Sequence, residues 1–76
     1  MSGVGLAFVR HIHNYVDWIE RKTDISKSSI VVDIGSNDGT CLEVFKGKGY
    51  NVCGIDPAKI PANISKTKGI YTINDF

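Results

Sequence analysis

The spacing of apolar residues changes character along the chain. Across residues 6–22 Val9, Ile12, Val16 and Ile19 recur at helical intervals while Arg10, Asp17, Glu20 and Arg21 fall on other faces, which predicts a leading amphipathic α-helix. Phe8, Tyr15 and Trp18 widen its apolar stripe, so the helix is expected to pack on a sheet or on another subunit. After the polar connection T-D-I-S-K-S-S the period shortens. Ile30, Val31, Val32 and Ile34 form a compact β-branched run, the pattern of a strand buried on both faces of a parallel sheet.

Gly35 ends that strand. Residues 40–46 then read as a helix with Leu42, Phe45 and Cys41 inward, stopped by G-K-G. A second strand is expected over residues 51–55, a short helix over 58–67 with its stop at Lys68-Gly69, and a third strand over 70–73. Strands alternating with short helices imply right-handed crossovers and a parallel sheet. The expected fold is therefore α/β: a leading helix, then βαβαβ with parallel strand order 3-2-1, a partial Rossmann-like core. No internal repeat, low-complexity tract or linker interrupts it.

Size and charge narrow what such a unit does. A chain of 76 residues is one small domain, which buries only about 60% of the surface its unfolded form exposes. Its hydrophobic fraction of 42% and charged fraction of 22% are those of a globular protein. A net charge of +1 leaves no basic excess to neutralise phosphates, so nucleic acid is not an expected partner. No apolar run approaches the roughly 20 residues of a spanning helix, and the Met-Ser-Gly start lacks a signal core, so neither a membrane partner nor export is expected and the assignment is cytoplasmic. Cys41 and Cys53 lack metal-type spacing and are expected to be reduced. His11 and His13 point to different sides of a helix and do not make a metal site.

Candidate chemistry gathers at the strand ends. In an open parallel sheet ligands bind beyond the carboxyl ends of the strands, where I-V-V-D-I-G-S-N-D-G-T places residues 35–39. Gly35 permits a sharp turn, and Gly39 lets the backbone come close to a ligand where a β-carbon would intrude. The amides at the following helix start carry partial positive charge. Asp33, two residues before the first glycine, repels a pyrophosphate but suits a cationic group such as an ammonium. Asp56 lies about 20 residues further on, at the end of the second strand, where an acid accepts hydrogen bonds from both ribose hydroxyls of a nucleoside. A ligand with a ribose and an ammonium fits both acids, and S-adenosylmethionine has both. Two plainer roles stand beside these: Asp56 before Pro57 suits an ordinary helix cap, and Asp33 suits a pairing with a lysine.

Other glycine motifs fit less well. The phosphate-binding P-loop needs a lysine that is absent here, and G-x-G-x-x-G would fall on Gly35, Asn37 and Thr40, missing two of its three glycines. The stretches V-V-D-I-G-S-N-D-G-T, G-I-D-P-A and K-G-I-Y-T-I-N-D-F together resemble class I S-adenosylmethionine-dependent methyltransferases. The resemblance is strongest to the branch that C-methylates nucleotide-linked deoxysugars, and it covers residues 15–76. The broad class has acid-x-G-x-G-x-G; here Asn37 replaces the middle glycine, and a G-S-N-D-G loop is usual in the sugar branch.

That resemblance implies a cofactor site in which Asp33 and the backbone of residues 35–39, with Ser36, Asn37 and Gly39, hold the methionine end. Asp56 would then hold the ribose, and Pro57 with Ala58 would border the adenine. It also implies that residues 1–76 form the N-terminal portion of a longer S-adenosylmethionine-binding domain, because the family's zinc-module cysteines, later strands, general base and sugar pocket are not in this sequence. No catalytic residue is assigned, and the chain alone is expected to be inactive. Two rival readings are a truncated or oligomeric remnant that binds no cofactor and the nicotinamide-binding half of a dehydrogenase. With no fourth strand beside it, the first strand is expected to offer a bare edge through which the chain forms a homo-oligomer.

Overall fold

The structure, a computed structural model, describes residues 5–75. Residues 1–4 and 76 of the unit expected over 1–76, with the Met-Ser-Gly start and the phenylalanine that ends the third quoted stretch, lie outside the described residues. The elements run α1 (Leu6–Lys22), β1 (Ile30–Ile34), α2 (Thr40–Gly47), β2 (Asn51–Ile55), α3 (Lys59–Thr67) and β3 (Thr72–Ile73). The fold is α/β, with three parallel strands in the order β1-β2-β3. β1 pairs with β2 along its whole length, from Ile30 opposite Asn51 to Ile34 opposite Ile55. β3 adds Thr72 opposite Gly54 and Ile73 opposite Ile55.

Both short helices close in the same way. At the end of α2 the Tyr50 N–H donates to Phe45 O and the Gly49 N–H to Lys46 O. At the end of α3 the Ile70 N–H donates to Ser65 O and the Gly69 N–H to Lys66 O. This six-to-one and five-to-two pairing satisfies carbonyls that a helix end otherwise leaves open. It also corrects the third strand, expected over residues 70–73: the Ile70 amide is committed to closing α3, and the ladder to β2 starts only where Tyr71 O accepts the Gly54 N–H.

The main core lies between the sheet and the helices. Val16 of α1, Val44 and Phe45 of α2 and Tyr50 are buried together, with Ile12, Ile19, Ile25, Val31 and Val52 packed around them. The Phe45 and Tyr50 rings meet edge to face at 5.7 Å. The leading helix packs chiefly on α2, its Val16 sharing a core with Val31 and Val52 of the sheet, while Phe8, Tyr15 and Trp18 remain about half exposed. One expectation is corrected here. β1 departs from the sequence reading. β1 is not covered on both faces. Val31 and Asp33 turn toward the helices, while Ile30, Val32 and Ile34 are 65%, 53% and 72% exposed on the opposite face. The physical reason is topological: two successive right-handed crossovers that step across the sheet in one direction place α2 and α3 on the same side.

Candidate functional site

The loop between β1 and α2 is pinned to the end of β2. The N–H groups of Gly35 and Ser36 both donate to Ile55 O, at 2.6 and 3.1 Å. Gly35 (φ +79°) turns the chain out of the strand, and Asn37 (φ +56°) also takes the left-handed conformation, which asparagine tolerates better than most residues with a β-carbon. The Asn37 N–H donates to Asp56 Oδ2 at 2.8 Å, and the Ala58 N–H donates to Asp56 Oδ1 at 2.8 Å. Asp56 is 8% exposed and thus ties the glycine loop to the start of α3. A carboxylate oxygen has a second lone pair, so one amide does not saturate either oxygen. The cap role open to Asp56 in the sequence is present, and it does not exhaust the side chain.

Asp38, not singled out by sequence reasoning, organises the start of α2. Its Oδ1 accepts the Thr40 N–H at 3.1 Å and the Thr40 hydroxyl at 2.6 Å. The signal was legible as D-x-T at a predicted helix start. One consequence is that the Thr40 amide is already engaged, which reduces the donors that the helix start offers a ligand.

Gly39 (φ +81°) is required by the packing of the fold itself. A β-carbon there would lie 2.6 Å from Ser65 Oγ and 2.7 Å from Ile70 Cδ1, so the close approach is to α3 and the segment after it. Ser65 is fully buried and shares a hydrogen bond of 2.7 Å with Thr72 Oγ1, a hydroxyl pair beneath the loop that periodicity does not reveal. A similar contact occurs at Gly54, where a β-carbon would meet Ser36 Oγ at 2.6 Å. Ser36 is 5% exposed, and its hydroxyl finds no hydrogen-bond partner among the described residues.

The loop residues face a cleft of about 210 Å³ lined by Ser36, Asn37, Asp38, Thr40 and Cys41, with Phe8 and Ile12 of α1 as its apolar wall. Asp33 instead lines a neighbouring apolar groove of about 320 Å³ between α1 and β1. Cys41 borders both. Burial, reinforced by the charge of Asp56, holds the Asp33 carboxyl above its ordinary range. Burial, with the nearby Asp33 carboxylate, likewise pushes the Cys41 thiol up, so Cys41 is a poor thiolate nucleophile. Asp33 makes no salt bridge among the described residues; the four ion pairs there involve other acids. Pro57 is exposed beside Asp56. His11 and His13 are exposed, and the described residues contain no group of three or more His, Cys, Asp or Glu able to hold a metal.

The site thus brings Ser36, Asn37 and Gly39 together with Asp56 through one loop, and sets Asp33 beside them in the adjoining groove. Such a place accepts polar or cationic groups: carboxylates face it, and the anion-binding amides are largely taken. Compared with descriptions of known protein families, the chain matches none. It is 33% identical over 67 residues to the C-methyltransferase NovU of Streptomyces niveus. The match takes in 88% of this chain but 16% of that relative, so the chain spans about one sixth of the protein it resembles. The similarity supports a methyltransferase relationship for this chain.

Proposed function

We propose that the chain is an S-adenosylmethionine-binding portion of a C-methyltransferase, whose parent reaction methylates a carbon of a nucleotide-linked sugar. The observation that carries this reading is the pair of acids Asp33 and Asp56 at the ends of adjacent parallel strands, on either side of a loop held in left-handed turns, in a chain similar to a C-methyltransferase. When bound, the cofactor supplies a methyl group on a positively charged sulfur. The chain's own residues bind and orient: Asp33 faces the ammonium, the backbone of residues 35–39 lies along the methionine end, the free lone pairs of Asp56 take ribose hydroxyls, and Pro57 borders the adenine.

The fit has physical support on two counts. Asp33 is held above its ordinary pKa by burial and a neighbouring anion, a strain that an arriving cation relieves. The cleft's volume of about 210 Å³ is below the ~300–1,000 Å³ of complete small-molecule sites, as suits one end of a cofactor. A second reading, a remnant that binds no cofactor, is favoured by Asp56, whose two amide hydrogen bonds account for its burial without any ligand.

Calorimetric titration separates the two. The chain is expected to bind S-adenosylhomocysteine, and Asp33→Asn is expected to weaken that binding by about 10- to 150-fold, the worth of a hydrogen bond to a charged group. Binding of 5′-methylthioadenosine, which has no ammonium, should be unchanged in the same variant. Absence of binding by the wild-type chain to either compound would establish the remnant reading.

A further inference from the structure

We infer that the first turns of α1 belong to the cofactor site: Phe8, with Ile12, is the wall against which the two methylene groups of the methionine end pack. The inference rests on the reading that S-adenosylmethionine binds here, and it assigns a role outside the glycine loop. Phe8 and Ile12 are four residues apart and so lie on one face of the helix, one above the other. Ile12 also packs against the buried core, whereas Phe8 stands outside that cluster and is about half exposed. Phe8 instead lines the cleft of about 210 Å³ that Ser36, Asn37, Asp38 and Thr40 border from the loop side.

The cleft lies along the path that the two acids set. Asn37, one of its lining residues, donates its N–H to Asp56. Cys41, another, also borders the groove that holds Asp33. A ligand with its ribose at Asp56 and its ammonium at Asp33 therefore carries its connecting segment past the cleft. That segment is a sulfur and two methylene groups, which form no strong hydrogen bonds and are favoured by contact with carbon. The loop side of the cleft is polar, and Phe8 and Ile12 give the opposite side its apolar surface. Methylene groups held there are removed from water, which stabilises the bound state.

A wall contributes most to affinity when it is in place before the ligand arrives. Both sides of this cleft are fixed by α2. Helix α1 packs on α2 through Val16, Val44 and Phe45, and Lys48 at the end of α2 forms ion pairs with Asp17 and Glu20 of α1. The loop runs directly into α2, where Gly39 O accepts the Glu43 N–H. The separation between Phe8 and the loop is thus set from one helix. Tyr15 and Trp18 are as exposed on α1 as Phe8 but do not line this cleft, so position and not exposure distinguishes Phe8.

Calorimetric titration with S-adenosylhomocysteine and with 5′-methylthioadenosine tests this in the wild type, Phe8→Ala, Phe8→Leu and Trp18→Ala. Phe8→Ala is expected to weaken S-adenosylhomocysteine binding about tenfold, the effect of returning two methylene groups to water. Phe8→Leu, which keeps an apolar wall, should retain most of the affinity, and Trp18→Ala should retain all of it. 5′-Methylthioadenosine carries a methyl group in place of the amino-acid chain, so it should bind the wild type and Phe8→Ala equally. Unchanged S-adenosylhomocysteine affinity in Phe8→Ala overturns the inference and leaves cofactor binding standing. Equal weakening of both compounds overturns it as well, because Phe8 then acts through the fold and not through the methionine end. A wild-type chain that binds neither compound overturns the cofactor reading and this inference with it.

Discussion

Single residues in the β1–α2 loop show how far a sequence pattern determines its own cause. Gly39 stands where a β-carbon would strike Ser65 and Ile70; a glycine reports a close approach without naming the neighbour. Gly54 gave no signal because a glycine inside a strand pattern has no periodicity, yet it accommodates Ser36. Gly54→Ala should destabilise the fold by about 1–3 kcal/mol, the cost of overpacking, and Ser36→Gly should restore part of that loss. Denaturant unfolding of the two single variants and the double variant measures the coupling, and additive losses would show that the two sites do not touch. Asp33 carries a prediction of opposite sign. Its folded-state pKa is raised, so its stabilising contribution is complete below the unfolded pKa and is lost as pH rises through the folded one. Asp33→Asn should therefore stabilise the chain at neutral pH, with the gain vanishing in acid, in a series of thermal melts. The same substitution that weakens ligand binding then strengthens the fold, the trade expected where a buried charge is kept for function.

At the level of elements, all three helices and the first two strands were legible from their apolar spacing, with glycines marking the ends of β1, α2 and α3. The partner of α1 was not. A stripe of Ile12, Val16 and Ile19 states which face is buried, not against what, and the contact with α2 depends on polar residues far apart in sequence. Lys48 Nζ reaches Asp17 Oδ1 and Glu20 Oε1, each at 2.9 Å, and the Tyr50 hydroxyl donates to Glu20 Oε2 at 2.7 Å. Lys27 lies 3.8 Å from the centre of the Tyr50 ring and donates to Lys48 O. The Tyr50 hydrogen bond and then Lys48 hold the Glu20 carboxyl below its ordinary range. Glu20 lies at the crossing point of this latch. Because its folded pKa is lowered, its contribution is present above the unfolded pKa and lost as pH falls through the folded value. Glu20→Gln should therefore lower the melting temperature at neutral pH and make no difference once the carboxyl is protonated. The groups are solvent-facing, so the effect should be modest and should shrink further in high salt. An effect that persists in acid would mean that Glu20 acts through packing alone.

The whole molecule is a parallel sheet with helices on one face, a form that seldom stands by itself because the other face remains apolar and wet. Sequence reading expected β1 to be buried on both faces because a continuous apolar run reports what a strand is built to contact, whereas within residues 5–75 only one face of the sheet carries helices. Tyr71 and Ile73 extend the exposed row set by Ile30, Val32 and Ile34 across the sheet. A domain of this size is already marginal, and an apolar row left in water lowers its stability further.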